Sequence, residues 1–340
     1  MVEDLLRKRS LPEFESVLTL LRSSGSLESW AKNFASPLVI DSDEHKNHMS
    51  KCLDGDGSPI CIRDALGPWD VKDKCSDFTL FQDLGDIEVR VNDRAPARHA
   101  DIIPANGGLQ QSLTCKLSSY LEYLTGHMPA KLDGYFTEGK TQYAPFYLNG
   151  WTVFADKPEL YKEFVIPDCF ASIDDTTELL QSVNETLFKT TSQESIHWSE
   201  AIDRKLAKLF IGPPGTITRL HYDAGDAHGW LGQLKGRKLF FLFPPSNREV
   251  LKPLPSEKET VQSALDPLTL DFSAAKDSDL KPMAIVLEPG DAILVPRQWW
   301  HYAVALDCCV TFQKNFYNAS TNAQGLVQMV MKTLQAIKRK

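Results

Sequence analysis

The sequence predicts a mainly β chain with helical flanks, built around a jelly roll or related double-sheet barrel. Three observations carry that class. Beyond about residue 200 the chain breaks into eight short runs of strand character, tight-turn residues punctuate them, and no internal repeat or low-complexity tract competes with the rhythm. The runs are Lys208–Ile211, Thr216–His221, Trp230–Leu234, Lys238–Phe243, Met283–Leu287, Ala292–Val295, Tyr302–Ala305 and Val310–Phe316. Between them lie GPPG at 212–215, Lys235-Gly236, Pro244-Pro245 and EPGD at 288–291, with one long excursion from Ser246 to Lys281.

The remaining elements follow in chain order. Leu5, Leu6, Phe14, Val17, Leu18 and Leu21 recur at helical spacing, with Pro12 splitting the segment and RSSGS at 22–26 ending it. Leu27–Phe34 reads as a second short helix, and the polar sequence up to about Gly57 reads as loop. From Pro59, PICIRDAL has the β-branched alternation of a strand, followed by a turn at Gly67-Pro68-Trp69. Ile87–Val91 reads as another strand, and Leu113–Leu124 as a helix stopped by Gly126. In Ser320–Lys340, Leu326, Val327, Val330, Met331, Leu334 and Ile337 form one apolar stripe. The expected organisation is a helical segment over 1–57, one domain over 58–318 with its barrel core at about 206–318, and a C-terminal helix over 319–340.

Composition narrows the function. Of 340 residues, 42% are apolar and 24% charged, enough for a sizeable core, which excludes collagen-like, largely disordered and disulfide-scaffold chains. With a formal net charge of −8, an electrostatic grip on nucleic acid is not the default reading. No apolar run approaches the roughly 20 residues a membrane span needs. The charged start MVEDLLRKRS does not read as a signal peptide, so the seven cysteines are expected to be reduced thiols in the cytosol or nucleus, and the sequons at Asn184 and Asn318 chance matches.

The chemistry gathers around His221-Tyr222-Asp223. In a strand, residues i and i+2 share a face, so this imidazole and carboxylate project together. His-x-Asp alone is a common turn-terminal pair. His301, in PRQWWHY just after the LEPGDAILVP hairpin, supplies a second imidazole from a later strand of the same sheet system. Two histidines and one carboxylate on one face of a metal leave three coordination positions open, which suits Fe(II) with a bidentate co-substrate and dioxygen; Zn(II) prefers a closed tetrahedron. Lys238 starts the strand KLFFLF, where a solvated end is the ordinary reading. Its strand nonetheless follows directly on the hairpin leaving the His/Asp strand, which lets its ammonium face the same cavity and hold the distal carboxylate of a dicarboxylic acid. Thr218 lies three residues before His221, points to the opposite side of an ideal strand, and shares that pocket only if the strand carries a bulge or twist.

GPPGTITRLHYD, GQLKGRKLFFLFPP, LEPGDAILVPRQWWHYAVAL and VTFQKNFY, in that order, resemble the JmjC domain of 2-oxoglutarate- and Fe(II)-dependent oxygenases. The similarity is to the small hydroxylase branch, which includes the asparaginyl hydroxylase that inhibits the hypoxia factor and the heat-shock-protein-associated JmjC proteins. SPICIRDALGPW and PFYLNGWTVFADKPELYKEFVIPDCF extend it to roughly Pro59–Asn318. The resemblance implies a cupin-like double-stranded β-helix in which His221, Asp223 and His301 bind Fe(II). It implies that Lys238, Thr218 and Tyr147 hold the C5 carboxylate of 2-oxoglutarate, and that Asn315 lies near its chelating end. It further implies O2 as co-substrate, succinate and CO2 as products, and hydroxylation of a protein side chain. The loop AGDAHGWLGQ after Asp223 departs from the asparaginyl hydroxylase, with Gly229 or Leu231 where relatives have a polar amide.

His228, Trp230 and Tyr222 are candidates for the substrate side, each with loop or packing as the plainer reading. Trp151 is a weaker one; Trp299 and Trp300 read best as packing, with one able to shelter the metal. Cys308-Cys309 points to opposite faces, and Lys338-Arg339-Lys340 reads as a solvated helix end. The partner is expected to be a protein or peptide, with demethylation of N-methyl-lysine or N-methyl-arginine as the alternative. RNA-base hydroxylation and a silent cupin-like binding module rank lower. The C-terminal helix either pairs with its copy in a homodimer, as in relatives, or packs on its own barrel.

Overall fold

The computed structural model describes residues 12–42, 48–54, 57–67, 69–92, 112–128, 145–188, 192–251, 253, 261–263, 265–270, 272, 280 and 282–338. Its strands are β1 (Leu38–Asp41), β2 (Ile60–Arg63), β3 (Glu88–Asn92), β4 (Ser112–Lys116), β5 (Leu148–Trp151), β6 (Ala207–Gly212), β7 (Ile217–Tyr222), β8 (His228–Lys235), β9 (Lys238–Phe243), β10 (Val261–Gln262), β11 (Met283–Leu287), β12 (Ala292–Val295), β13 (Trp300–Ala305) and β14 (Cys309–Phe316). Seven form one sheet, β1-β2-β12-β8-β14-β6-β5, and five another, β10-β7-β13-β9-β11; β3 and β4 make a separate ribbon. From β6 to β9 and from β11 to β14, successive strands alternate between the two sheets, which is the winding of a jelly roll.

Both faces of this barrel are covered, so its strands are continuous apolar runs. In β9 the period of two divides KLFFLF cleanly. Phe240 and Leu242 point inward with Leu231, Ile285, Leu287, Ile293 and Val295. Leu239, Phe241 and Phe243 point outward onto Val17 of the Pro12–Ser24 helix and Leu27 and Ala31 of the Leu27–Ala31 helix. On the larger sheet, Trp230 and Phe312 point outward into an aromatic layer with Trp69, Phe154, Phe164 and Phe170; Trp230 stacks on Phe170 at 4.4 Å and 4°. Burying such a side chain stabilises the fold by roughly 1.5–3 kcal/mol.

Helices Thr176–Phe188 and Ser192–Leu206, which the strand rhythm did not reveal, pack on each other against this outer face. A buried ion cluster ties them to β14. Lys314 Nζ lies 2.7 Å from Asp174 and 2.9 Å from Asp203, and Tyr161 donates to Asp203 at 3.1 Å. Burial disfavours the Lys314 ammonium, but the two carboxylates outweigh it and hold the group charged.

Several sequence expectations are corrected. The helix expected from Phe14, Val17, Leu18 and Leu21 is present as Pro12–Ser24, while Leu5, Leu6 and the stretch before Pro12 lie outside the described residues. The stretch read as loop up to Gly57 contains the Met49–Leu53 helix and β1, which pairs in parallel with β2 and forms the edge of the larger sheet. Leu113–Leu124 is half strand: Ser112–Lys116 pairs with β3, and the helix starts only at Leu117. Part of the excursion, Val261–Gln262, pairs with β7, while 254–260 and 273–279 lie outside the described residues. In the Ala323–Lys338 helix, Leu326 and Val330 are buried on the chain's own domain, whereas Val327 and Met331 are each 41% exposed. The side chains of Leu334 and Ile337, and residues Arg339-Lys340, are outside the described set.

Behind β7, Asp266 is buried beside Arg219 and Tyr302 and accepts from the Leu268 N–H at 3.0 Å; burial pushes its carboxyl up from 3.8 to about 6. Between those values the folded state keeps a proton that the unfolded chain has lost. The associated stability is fully present below about pH 4 and is lost as pH rises through 6. His221 and His228, both lowered by burial to about 4, act oppositely in the same window, because their folded forms bind protons less readily than the unfolded chain. The isolating measurement is therefore a difference. Urea unfolding should show Asp266→Asn gaining about 2–3 kcal/mol relative to wild type between pH 4 and 7. A difference that does not vary with pH would remove Asp266 as its source.

Candidate metal and co-substrate site

His221, Asp223 and His301 come together at one end of the barrel interior. Their ligand atoms all lie within 4.8 Å of one another. His221 Nε2 is 3.8 Å from Asp223 Oδ1, and the two imidazole centroids are 4.2 Å apart. Each ring is oriented from behind: His221 Nδ1 lies 2.6 Å from the Arg219 carbonyl and His301 Nδ1 3.2 Å from that of Trp299. A carbonyl can only accept, so each Nδ1 carries a proton and Nε2 is the nitrogen turned to the shared space, as a metal-binding histidine requires. Burial, reinforced by His301, lowers His221 to about 4 and keeps the ring neutral.

Asp223 is held in the opposite charge state. Burial works against its carboxylate, but His301, His221, Lys208 and the Asn315 amide outweigh it and keep the group below the ordinary carboxylate range. Its Oδ2 accepts from Asn315 Nδ2 at 2.8 Å and Gln313 Nε2 at 3.2 Å. Asn315 therefore orients the carboxylate, which places it at the metal side of the pocket. Gly229 makes room for this contact: a Cβ there would sit 3.0 Å from Asp223 Oδ2 and 3.3 Å from Asn315 Nδ2. Gly229→Ala is accordingly expected to displace the carboxylate and weaken metal binding about 10-fold, as losses behind a metal ligand do. Isothermal titration with Mn(II) checks it, and an unchanged affinity would show that the cleft yields.

A bulge brings Thr218 to the same interior. His301 faces His221 and Ala303 faces Thr218, so two steps on β13 span three on β7. Thr218 Oγ1 lies 3.4 Å from the Tyr147 hydroxyl. Lys238, only 2% exposed, donates to that hydroxyl at 3.0 Å and to Thr311 Oγ1 at 3.3 Å, while Thr311 donates its own proton to Gln233 Oε1 at 2.9 Å. Among the described residues no carboxylate pairs with Lys238. A buried ammonium held only by neutral hydroxyls is a seat for an anion. Gly212 lets Tyr147 lie against β6, since a Cβ there would meet its ring at 2.5 Å.

The three substrate-side candidates point elsewhere. Tyr222 falls between two inward residues and turns outward, where it packs edge-on against Trp300 and accepts from Arg248 at 2.6 Å. His228 and Trp230 alternate with inward Gly229 and Leu231 and face out. His228 is fully buried, with Nδ1 accepting from the Arg297 N–H at 3.0 Å and Nε2 2.8 Å from the Thr321 hydroxyl; Trp230 lies in the outer aromatic layer. Trp299 and Trp300 are both packed, the former donating to the Gly57 carbonyl at 2.7 Å. Sequence reasoning missed Thr311, Gln313 and Gln233. For the first two the signal was present in β14, where Thr311, Gln313 and Asn315 place polar side chains at every second position.

The donor set fits a ferrous ion. Two imidazoles and one ionised carboxylate are presented from one side, each anchored through its other polar atom. A model of the cupin-like domain matches residues 46–322. Jumonji C domain-containing protein 5 of Drosophila melanogaster is 25% identical over 265 residues, 77% of this chain and 55% of the relative. The arginine-specific demethylase JMJ22 of Arabidopsis thaliana is 25% identical over 213 residues, 60% of this chain and 38% of the relative. Human HSPB1-associated protein 1 is 31% identical over 126 residues, 35% of this chain and 26% of the relative. The chain thus spans about half the length of these relatives or less. With the jelly roll, the His-Asp-His cluster and the matched span in agreement, the chain belongs to the cupin-like family of JmjC domains.

Proposed function

We propose that this domain is a 2-oxoglutarate- and Fe(II)-dependent dioxygenase that hydroxylates a side chain of a protein or peptide. The observation that supports it most is the buried Lys238 ammonium, unpaired by any described carboxylate and sharing the barrel interior with the His221–Asp223–His301 cluster. His221, Asp223 and His301 would hold Fe(II), which supplies oxidative decarboxylation of 2-oxoglutarate to succinate and CO2 and insertion of oxygen from O2 into an unreactive C–H bond. Lys238 binds the distal carboxylate of the co-substrate, and Tyr147 and Thr218 add hydroxyl hydrogen bonds. Gln313 and Asn315 keep Asp223 aimed. The walls formed by Phe210 and Phe240, whose rings lie 5.4 and 6.0 Å from Lys238 Nζ, exclude water and strengthen that ion pair.

Two further features support the reading. All seven cysteines are free, as expected for a reducing compartment such as cytosol or nucleus. No helix of the described residues is long and apolar enough to cross a membrane. Anaerobic titration tests the function directly: Fe(II) and 2-oxoglutarate together should produce a visible charge-transfer band that neither gives alone. A protein that binds Fe(II) but develops no band on adding 2-oxoglutarate would overturn the proposal. Formaldehyde release from methylated peptides would point to demethylation instead.

A further inference from the structure

The barrel interior holds a second lysine that the proposed chemistry leaves unused. Strand β6 alternates: Ala207, Leu209 and Ile211 join the outer core, so Lys208, Phe210 and Gly212 point inward. Phe210 lies under the Lys238 ammonium and Gly212 faces Tyr147, which fixes the same orientation independently. Lys208 is the register partner of Gln313, whose amide contacts Asp223 at 3.2 Å. Its stem runs under β5, with Cδ 3.8 Å from the position a Cβ on Gly150 would take. Lys208 therefore lies on the metal side of Phe210, and Lys238 on the other.

The two ammonium groups differ in what they can serve. Lys238 is sealed, as suits a co-substrate that stays through the reaction. Lys208 is only partly buried and has no ion-pair or hydrogen-bond partner among the described residues. Its charge is felt at Asp223, where it favours the carboxylate, and at His221, where it disfavours protonation. A lysine that merely needed water would lie on the outer surface; an inward position beside Gln313 places a fixed positive charge close to the reacting centre. Resting on the oxygenase reading, we propose that Lys208 determines specificity at this site: it pairs with a carboxylate on the entering substrate segment and repels cationic side chains, N-methyl-lysine and N-methyl-arginine among them. With 2-oxoglutarate on Lys238 and the metal on Asp223, Lys208 is a positive charge left free to meet the substrate.

The test is binding to defined peptides. The full chain, loaded with Mn(II) and 2-oxoglutarate to prevent turnover, is titrated by fluorescence anisotropy with peptides of Gly, Ser and Ala. These carry either aspartate and glutamate or trimethyl-lysine and dimethyl-arginine at the central positions. Wild type should favour the acidic peptides by roughly 10-fold or more, as unit charges separated by a few ångströms at a protein surface imply. Lys208→Gln, which keeps the stem, should bring the preference near unity, and Lys208→Glu should invert it. If Lys208→Glu fails to fold, Lys208→Gln decides alone. Equal binding of both classes by wild type, or an unaltered preference in Lys208→Gln, would overturn the assignment. So would a Lys208→Gln protein that loses 2-oxoglutarate affinity while keeping its peptide preference, since Lys208 would then be a co-substrate residue. The oxygenase reading stands or falls separately, on the Fe(II)–2-oxoglutarate band of the wild-type protein.

Discussion

Asp223→Ala should abolish tight Fe(II) binding and lower succinate formation from 2-oxoglutarate by about 1000-fold or more, while the cooperative unfolding transition persists. Removing this side chain leaves two imidazoles, a bidentate site without the anion that offsets the charge of the ion. The Asn315 and Gln313 amides lose their common acceptor, and among the described residues no other carboxylate joins the two histidines to replace the third donor. The fold has less to lose. Asp223 follows β7 and contributes to neither large apolar cluster, and the contacts that close the barrel end remain, with Arg297 bonded to Asp226 at 2.5 Å and Asn322 to the Asp226 carbonyl at 2.8 Å. Calorimetric titration with Fe(II) under anaerobic conditions and succinate detection by mass spectrometry check the two effects separately. An Asp223→Ala protein that turns over at the wild-type rate would dissolve the metal centre as assigned.

Much of this arrangement was legible in the sequence for a physical reason. The barrel strands are short, buried on both faces and separated by Gly-Pro turns, so hydrophobic runs and turn chemistry coincide. His221 and Asp223 fall on one face because a strand repeats every two residues. The same rule also places Tyr222 on the other face, and applied to β8 it separates outward His228 and Trp230 from inward Gly229 and Leu231. Thr218 marks the opposite case, since simple alternation directs it away and only the β7 bulge returns it to the pocket. The helices at Thr176–Phe188 and Ser192–Leu206 carry many polar residues and owe their place to long-range contacts such as Asp203 with Lys314, 111 positions along the chain, which no local pattern announces.

Lys238→Met separates a structural role from a binding role by the sign of its effect. In the free protein Lys238 is a buried cation with only neutral hydroxyls for partners, so a methionine of similar length should leave unfolding stability equal to or above that of wild type. A lysine retained for folding would predict a loss. The variant should instead lose the co-substrate: without the ammonium, a carboxylate entering the Tyr147–Thr218 pocket is desolvated against one remaining pair of hydroxyls. The expected rise in the Kd for 2-oxoglutarate is about 100-fold or more, about 3 kcal/mol, within the range for truncating one partner of a buried charge pair. Fe(II) affinity in the absence of co-substrate should change little, because the ligands His221, Asp223 and His301 keep their own supports. Thermal unfolding with and without Mn(II) and 2-oxoglutarate reads both effects in one experiment. In wild type the co-substrate raises the Tm by mass action, and in Lys238→Met the Tm without it holds while the increment disappears. A variant that unfolds earlier yet keeps the increment would assign Lys238 to the scaffold and leave the anion seat to other residues.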